Sequence, residues 1–227
     1  MTIFCDYYVF DDVKGKVDLA DVPRNLESAK AAMDLLETQM SVKGYKTVGK
    51  DVISMGLYVK DTTKTFKIAA EKSPVSKEEI ETLPEAPPPF YVNKVLCDTE
   101  EKLKVMEAVT KKLSEYRRVV GQAATTIPEA VQIQTGKNED AFLFLFMQGR
   151  DVALGKTIGQ AVATAILTLG LFSIAESSYT NAYIYMVDAK TGEIIWSDIW
   201  VGAKIAPSSP KFLTNTFKRM ADNIPAK

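Results

Sequence analysis

Residues Ala141 to Met147 read Ala-Phe-Leu-Phe-Leu-Phe-Met, an apolar run with no polar alternation. A strand that is wet on one face alternates; one that does not is covered on both faces, so this run belongs at the centre of a sheet with helices packed on it. The run Ala182-Tyr-Ile-Tyr-Met-Val187 has the same character. From there the chain turns through Asp188-Ala-Lys-Thr-Gly192-Glu into Ile194-Ile-Trp196. Gly192 is placed to supply the positive φ that closes a short hairpin loop.

The remaining elements arrange themselves around this pair. A first strand, Ile3 to Phe10, precedes a charged loop from Asp11 to Asp21 and a helix from about Arg24 to Val42. In that helix Leu26, Ala29, Met33, Leu36 and Met40 recur at three and four residues and form one stripe, and Gly44 stops it. Lys46 to Val59 holds one or two short strands. Residues 60–90, with Pro74, Pro84 and Pro87-Pro88-Pro89, read as a surface excursion containing one short helix. Strand character resumes from Tyr91 to Cys97. A second helix starts at the capping residue Thr99 and reaches about Val119, burying Leu103, Met106, Val109, Leu113 and Tyr116. A closing helix runs from Pro210 to about Asn223, with Leu213, Phe217, Met220 and Ile224 on one face. The expected fold is α/β: a mixed sheet flanked by helices, one domain over residues 1–227, with an apolar insertion at 150–178.

Composition narrows the chemistry. The chain of 227 residues has no histidine, which removes the commonest general base near neutral pH, the commonest transition-metal ligand and the histidine-dependent serine and cysteine triads. Two cysteines, Cys5 and Cys97, are too few for a zinc site or a disulfide framework. Each reads as a small buried apolar residue, and a disulfide between them requires their strands to be neighbours in an oxidising compartment. With 28 basic against 29 acidic residues there is no field to gather nucleic acid. No cofactor or metal is expected, and no enzymatic activity.

Three motifs imitate functional sites. Gly149-Arg-Asp-Val-Ala-Leu-Gly155-Lys156-Thr157 follows a buried strand as a phosphate-binding loop does, but it has five residues between its glycines where that loop needs four. A nucleotide-binding enzyme using Lys156, Thr157 and Asp188 is therefore the alternative function from another class. Val187-Asp-Ala-Lys-Thr-Gly192-Glu-Ile-Ile-Trp196 resembles a propeller blade signature, yet it occurs once where a propeller repeats it; a local turn held by Asp188 and Thr191 explains it. The carboxylate pairs Asp11-Asp12, Glu100-Glu101 and Glu139-Asp140 lack the periodicity of a calcium loop and read as solvated charges.

Ile158 to Ala175 carries no formal charge and just reaches the length of a membrane-spanning helix, but Gly159 and Gly170 interrupt it. Crossing there would divide one sheet between two sides of a bilayer. The run is either an excursion that meets a membrane or partner, or a helical hairpin packed on the protein's own core. Ile158, Val162, Ile166, Leu169, Leu171 and Phe172 are the candidate contact residues. A cytoplasmic module holding a small apolar ligand between this insertion and the sheet is a further alternative.

The order of elements, with Phe10-Asp-Asp, Gly44-Tyr-Lys, Asn138-Glu-Asp-Ala-Phe-Leu-Phe-Leu-Phe and above all Tyr183-Ile-Tyr-Met-Val-Asp-Ala-Lys-Thr-Gly-Glu-Ile-Ile-Trp-Ser197, resembles a group of bacterial envelope proteins. The group comprises the curli secretion channel subunit, the lipoprotein activators of penicillin-binding proteins and many uncharacterised lipoproteins, which share a domain related to the amino-terminal domain of TolB. The resemblance implies a non-enzymatic, periplasmic, outer-membrane-associated lipoprotein-like scaffold that binds envelope proteins or itself. The chain departs from the group's pattern in having no signal peptide or lipobox before Cys5, since Met1 leads almost directly into the first strand; the expectation is then either a removed targeting segment or a cytoplasmic protein.

Overall fold

The computed structural model describes residues 1–13, 17–59, 63–73, 76–116, 125–152, 178–203 and 210–224. Its centre is a long strand, β1 (Thr2–Val13), which pairs in parallel with β7 (Ala141–Val152) from Thr2↔Phe142 to Asp12↔Val152. On its other edge β1 changes partner halfway. It runs parallel to β3 (Gly49–Met55) as far as Asp6↔Ser54, with a bulge between Cys5 and Asp6, and then antiparallel to β2 (Val17–Asp21). β2 pairs in parallel with β4 (Phe66–Ala69), β4 with the two-residue β5 (Glu85–Ala86), and β3 with the two-residue β6 (Tyr91–Val92). Beyond β7, β8 (Tyr179–Asp188) and β9 (Ile194–Ala203) follow antiparallel, so the main path reads β5-β4-β2-β1-β7-β8-β9. This is a mixed α/β fold with an open mixed sheet flanked by helices.

The strand period of two sorts the core into two layers. Ile3, Cys5, Tyr7 and Val9 of β1, with Leu143, Leu145 and Met147 of β7, pack under α1 (Val22–Val42) and α4 (Pro210–Asp222). α1 supplies Ala29, Met33, Leu36 and Met40, and α4 supplies Leu213, Phe217 and Met220. Phe4 of β1, Phe142, Phe144 and Phe146 of β7, and Tyr183 and Tyr185 of β8 face the other way. Over them lie α3 (Glu100–Tyr116) with Met106, Val109 and Leu113, and two 3-10 segments, Leu57–Val59 and Pro128–Gln132. The seven residues Ala141 to Met147 of β7 are all buried, as a strand covered on both faces must be.

Several boundaries differ from the sequence expectation. Asp11 to Asp21 is not a charged loop: β1 continues to Val13 and β2 returns from Val17, because Asp11 is paired across the sheet with both Leu19 and Asp151. α1 begins at Val22, where the Asp21 carboxylate accepts the Arg24 N–H at 3.0 Å. The 60–90 region contains the expected short helix, α2 (Lys77–Thr82), capped by Ser76 and Glu79 in reciprocal bonds. It also carries β4, whose Phe66 and Ala69 are buried, so this excursion extends the sheet. Tyr91 to Cys97 is strand only to Val92; Asn93 then donates to the Val52 carbonyl and accepts from the Val95 and Leu96 N–H groups, turning the chain. Thr99 caps α3 as expected, accepting from the Lys102 N–H. Cys5 and Cys97 are both free thiols and pack in the two opposite layers of core.

Candidate interaction site

The hairpin between β8 and β9 forms because its turn satisfies its own backbone. Asp188 Oδ1 accepts the N–H groups of Lys190 and Thr191 at 2.8 Å each, and Thr191 Oγ1 accepts from Glu193. These amide bonds hold the Asp188 carboxyl below its ordinary range, so the side chain stays ionised in its turn-forming role. Gly192 has φ 72°, and a Cβ there would lie 2.3 Å from the Ile127 carbonyl oxygen. That close approach lets Ile127 N–H bond to Gly192 and lets Ile194 N–H bond to Thr125, which covers the first residues of the β9 edge.

Beyond Ile194 the edge has no strand partner among the described residues. A register shift places one extra residue between Val187↔Ile194 and Met186↔Trp196, and after it the two faces of β9 differ sharply. Trp196 and Trp200 pack on the core under α1 and α4, and Trp200 lies across Gly202, where a Cβ would collide with its ring. On the other face the apolar side chains past Ile194 are exposed. Ile199 is 42% and Val201 70% exposed, beside Tyr179 of β8 at 37%, and Ile195 at the shift is 51% exposed. The acidic side chain of β9, Asp198, accepts its neighbour's Ile199 N–H at 2.7 Å and meets Nδ2 of Asn223, just past the end of α4, at 3.4 Å. The other edge strands, β5 and β6, are two residues each, a length that blunts an edge; β9 is a ten-residue edge strand.

Other chemical groupings resolve into structural roles. Arg24 of α1 bridges Asp11 of β1 at 2.5 Å and Asp151 of β7 at 2.8 Å, fastening the ends of two parallel strands to the first turn of α1. Burial pushes the Asp11 carboxyl up to about 6 against the opposing pull of Arg24. Asp6 is buried where the pairing of β1 with β3 ends, and its two oxygens accept the N–H groups of Gly56 and Tyr58 at 2.6 Å each. Desolvation raises its pKa to about 6 while those two bonds pull it down. Burial likewise raises the Cys5 and Cys97 thiols, which disfavours the reactive thiolate. A groove of about 500 Å³ lies beside the start of α3, with Leu96, Val105, Met106 and Ile133 along it; Lys102 at its rim is paired with Asp98.

The sequence-predicted contact residues Ile158, Val162, Ile166, Leu169, Leu171 and Phe172 lie outside the described residues, as do Lys156 and Thr157. Gly149 to Val152, the first part of the loop-like motif, is extended strand: Gly149 pairs with Val9 on one side and Thr180 on the other. Asp188 is committed to the hairpin turn. Among the described residues no group of three His, Cys, Asp or Glu is placed to hold a metal ion, and no helix is long and apolar enough to cross a membrane. The exposed face of β9 was missed from sequence; its signal is the alternation Ile195, Ser197, Ile199, Val201 against Trp196 and Trp200, which continues past the turn motif. Comparison of the chain with protein-family models, with curated proteins and with solved structures finds no match.

Proposed function

We propose that the protein is a non-enzymatic scaffold of the bacterial envelope that acts through protein–protein contacts, with the open β9 edge as its principal contact surface. The observation that carries this reading is the row Ile199 and Val201 beside Tyr179 on an edge that has no strand partner past Ile194 among the described residues, since β-branched apolar residues on such an edge favour strand addition by another chain. The hydrogen bonds of Asp6 and Asp188 and the ion pairs of Asp11, Arg24 and Asp151 hold backbone in place, which supports a binding role over turnover chemistry. The envelope placement, with outer-membrane association, rests on the resemblance of the Tyr183 to Ser197 hairpin to the lipoprotein group; a TolB-like domain fits the mixed sheet with helices on both faces. The apolar run Ile158 to Ala175 is kept as a second contact, for a partner or a membrane surface.

A photo-crosslinking amino acid at Val201, in cells, tests the reading against the same probe at Val95, which is 87% exposed but lies away from β9. Discrete protein adducts from Val201, absent from Val95 and recovered in the envelope fraction, are expected. Equal adduct patterns at both positions, or none at Val201, would overturn the assignment of β9.

A further inference from the structure

We infer that the occupant of the β9 edge is the β9 edge of a second copy of this chain, the two strands pairing antiparallel about a twofold axis with Ile199 opposite Val201 of the second copy. The inference rests on the reading of β9 as the contact surface and names its partner.

The phase of the edge is fixed by its hydrogen bonds. Ile194 N–H leaves the sheet towards Thr125, and after the one-residue shift Ile199 N–H also points away from β8, where the Asp198 carboxylate holds it. Residues 197, 199 and 201 therefore present their N–H and C=O groups outward. An antiparallel edge presents the same order of donors and acceptors after a twofold rotation perpendicular to the sheet, so a second copy is geometrically complementary without adjustment. Under that rotation side chains stay on their own face, which allows only pairings between residues an even number apart.

The side chains then select among the registers. Placing the axis at Asp198 sets two carboxylates opposite each other, an unfavourable cross-strand pair. Placing it at Ile199 matches Val201, the most exposed apolar residue of the strand, with Ser197. With the axis at Trp200, Ile199 meets Val201 on both sides of it, giving two β-branched apolar pairs, and Asp198 lies opposite Gly202. Forming the pair requires only that Asp198 release the Ile199 N–H, a local bond within one strand. Net charge does not oppose association, since each copy carries a formal charge of −1.

The test uses the full chain with Cys97→Ser throughout, the remaining Cys5 being fully buried. Hydrogen-bonded antiparallel pairs hold Cα atoms about 5.5 Å apart, within the span of a disulfide. An equimolar mixture of Ile199→Cys and Val201→Cys proteins is expected to give a disulfide dimer under mild oxidation, and each variant alone much less. Sedimentation of the parent protein is expected to show a monomer–dimer equilibrium, with Val201→Lys raising the dissociation constant about tenfold or more and leaving the circular dichroism spectrum unchanged. A parent protein that stays monomeric while a probe at Val201 still captures other proteins in cells would overturn self-pairing and leave the scaffold reading standing. No capture in either setting removes both. A crosslink from residue 201 to another part of its own chain would also overturn self-pairing, because the edge is then covered internally. Equal bridging in the mixture and in either variant alone would overturn the register.

Discussion

Asp6 is the last residue of β1 paired with β3, ahead of the pairing with β2 that begins at Asp11, and the 3-10 turn Leu57–Val59 begins at that gap. The carboxylate takes up the Gly56 and Tyr58 N–H groups, which the departing strand leaves without ladder partners. Tyr58 in turn stacks on Phe146, with ring centroids 4.2 Å apart, so one acid positions an aromatic plate on the sheet. Its burial has a thermodynamic consequence. With a folded pKa of about 6 against an ordinary 3.8, the folded state binds the proton more tightly than the unfolded chain. The associated stability is fully present below the unfolded value and is lost as pH rises through about 6. For a shift of this size the change is on the order of 3 kcal/mol. Asp6→Asn cannot ionise, so the difference in unfolding free energy between parent and variant, measured by urea denaturation, should shift in the variant's favour by most of that amount from pH 4 to pH 7. Asp11 titrates in the same window but is present in both proteins and cancels. A difference that is flat with pH would show that Asp6 does not carry the effect.

At the scale of elements, the β8–β9 hairpin depends on Gly192, and Gly136 provides the comparison. Both have positive φ, at 72° and 70°, yet a Cβ on Gly136 meets nothing within 4 Å while one on Gly192 meets the Ile127 backbone. Gly136→Ala should cost about 1 kcal/mol, from the left-handed backbone alone. Gly192→Ala should cost at least about 2 kcal/mol more, because the turn must also move off Ile127 and lose the Ile127-to-Gly192 bond. Thermal denaturation of the two variants side by side checks this, and equal losses would contradict the close approach. The turn itself was legible in sequence, since Asp188, Thr191 and Gly192 act on their immediate neighbours. So were α3 and α4, where a helical period marks Met106, Val109 and Leu113, and Leu213, Phe217 and Met220. The polar tail of β7, Gln148 to Asp151, was not: it is strand because Tyr8 to Asp11 pairs with it from the far end of the chain, and no local pattern encodes that. β4 is four residues among charges and is recognised only through its neighbour β2. The candidate site was legible to Trp196 and no further. Ile199 and Val201 look like core positions in sequence; they are exposed on the strand that ends the sheet among the described residues.

At the scale of the molecule, β7 and β8 are adjacent and antiparallel, paired as far as Arg150↔Tyr179, so the sheet already brings together the two ends of residues 153–177. Among the described residues, the α1/α4 layer and the α3 layer both close over strands that β1 and β7 align. Deleting Ile158 to Ala175 retains residues 153–157 and 176–178, eight residues between Val152 and Tyr179, more than the two to five that hairpin loops commonly need. The deletion variant should therefore fold, with its circular dichroism spectrum and cooperative unfolding preserved. It should also keep the β9 edge and hence the dimer, whereas Val201→Lys in the intact chain should lose it. These two variants separate the contact surfaces proposed for this protein. A folded deletion variant that no longer associates would transfer the principal contact from β9 to the apolar run Ile158 to Ala175. An unfolded one would show that residues 158–175 complete the core. Sedimentation and circular dichroism on the same samples distinguish the three outcomes.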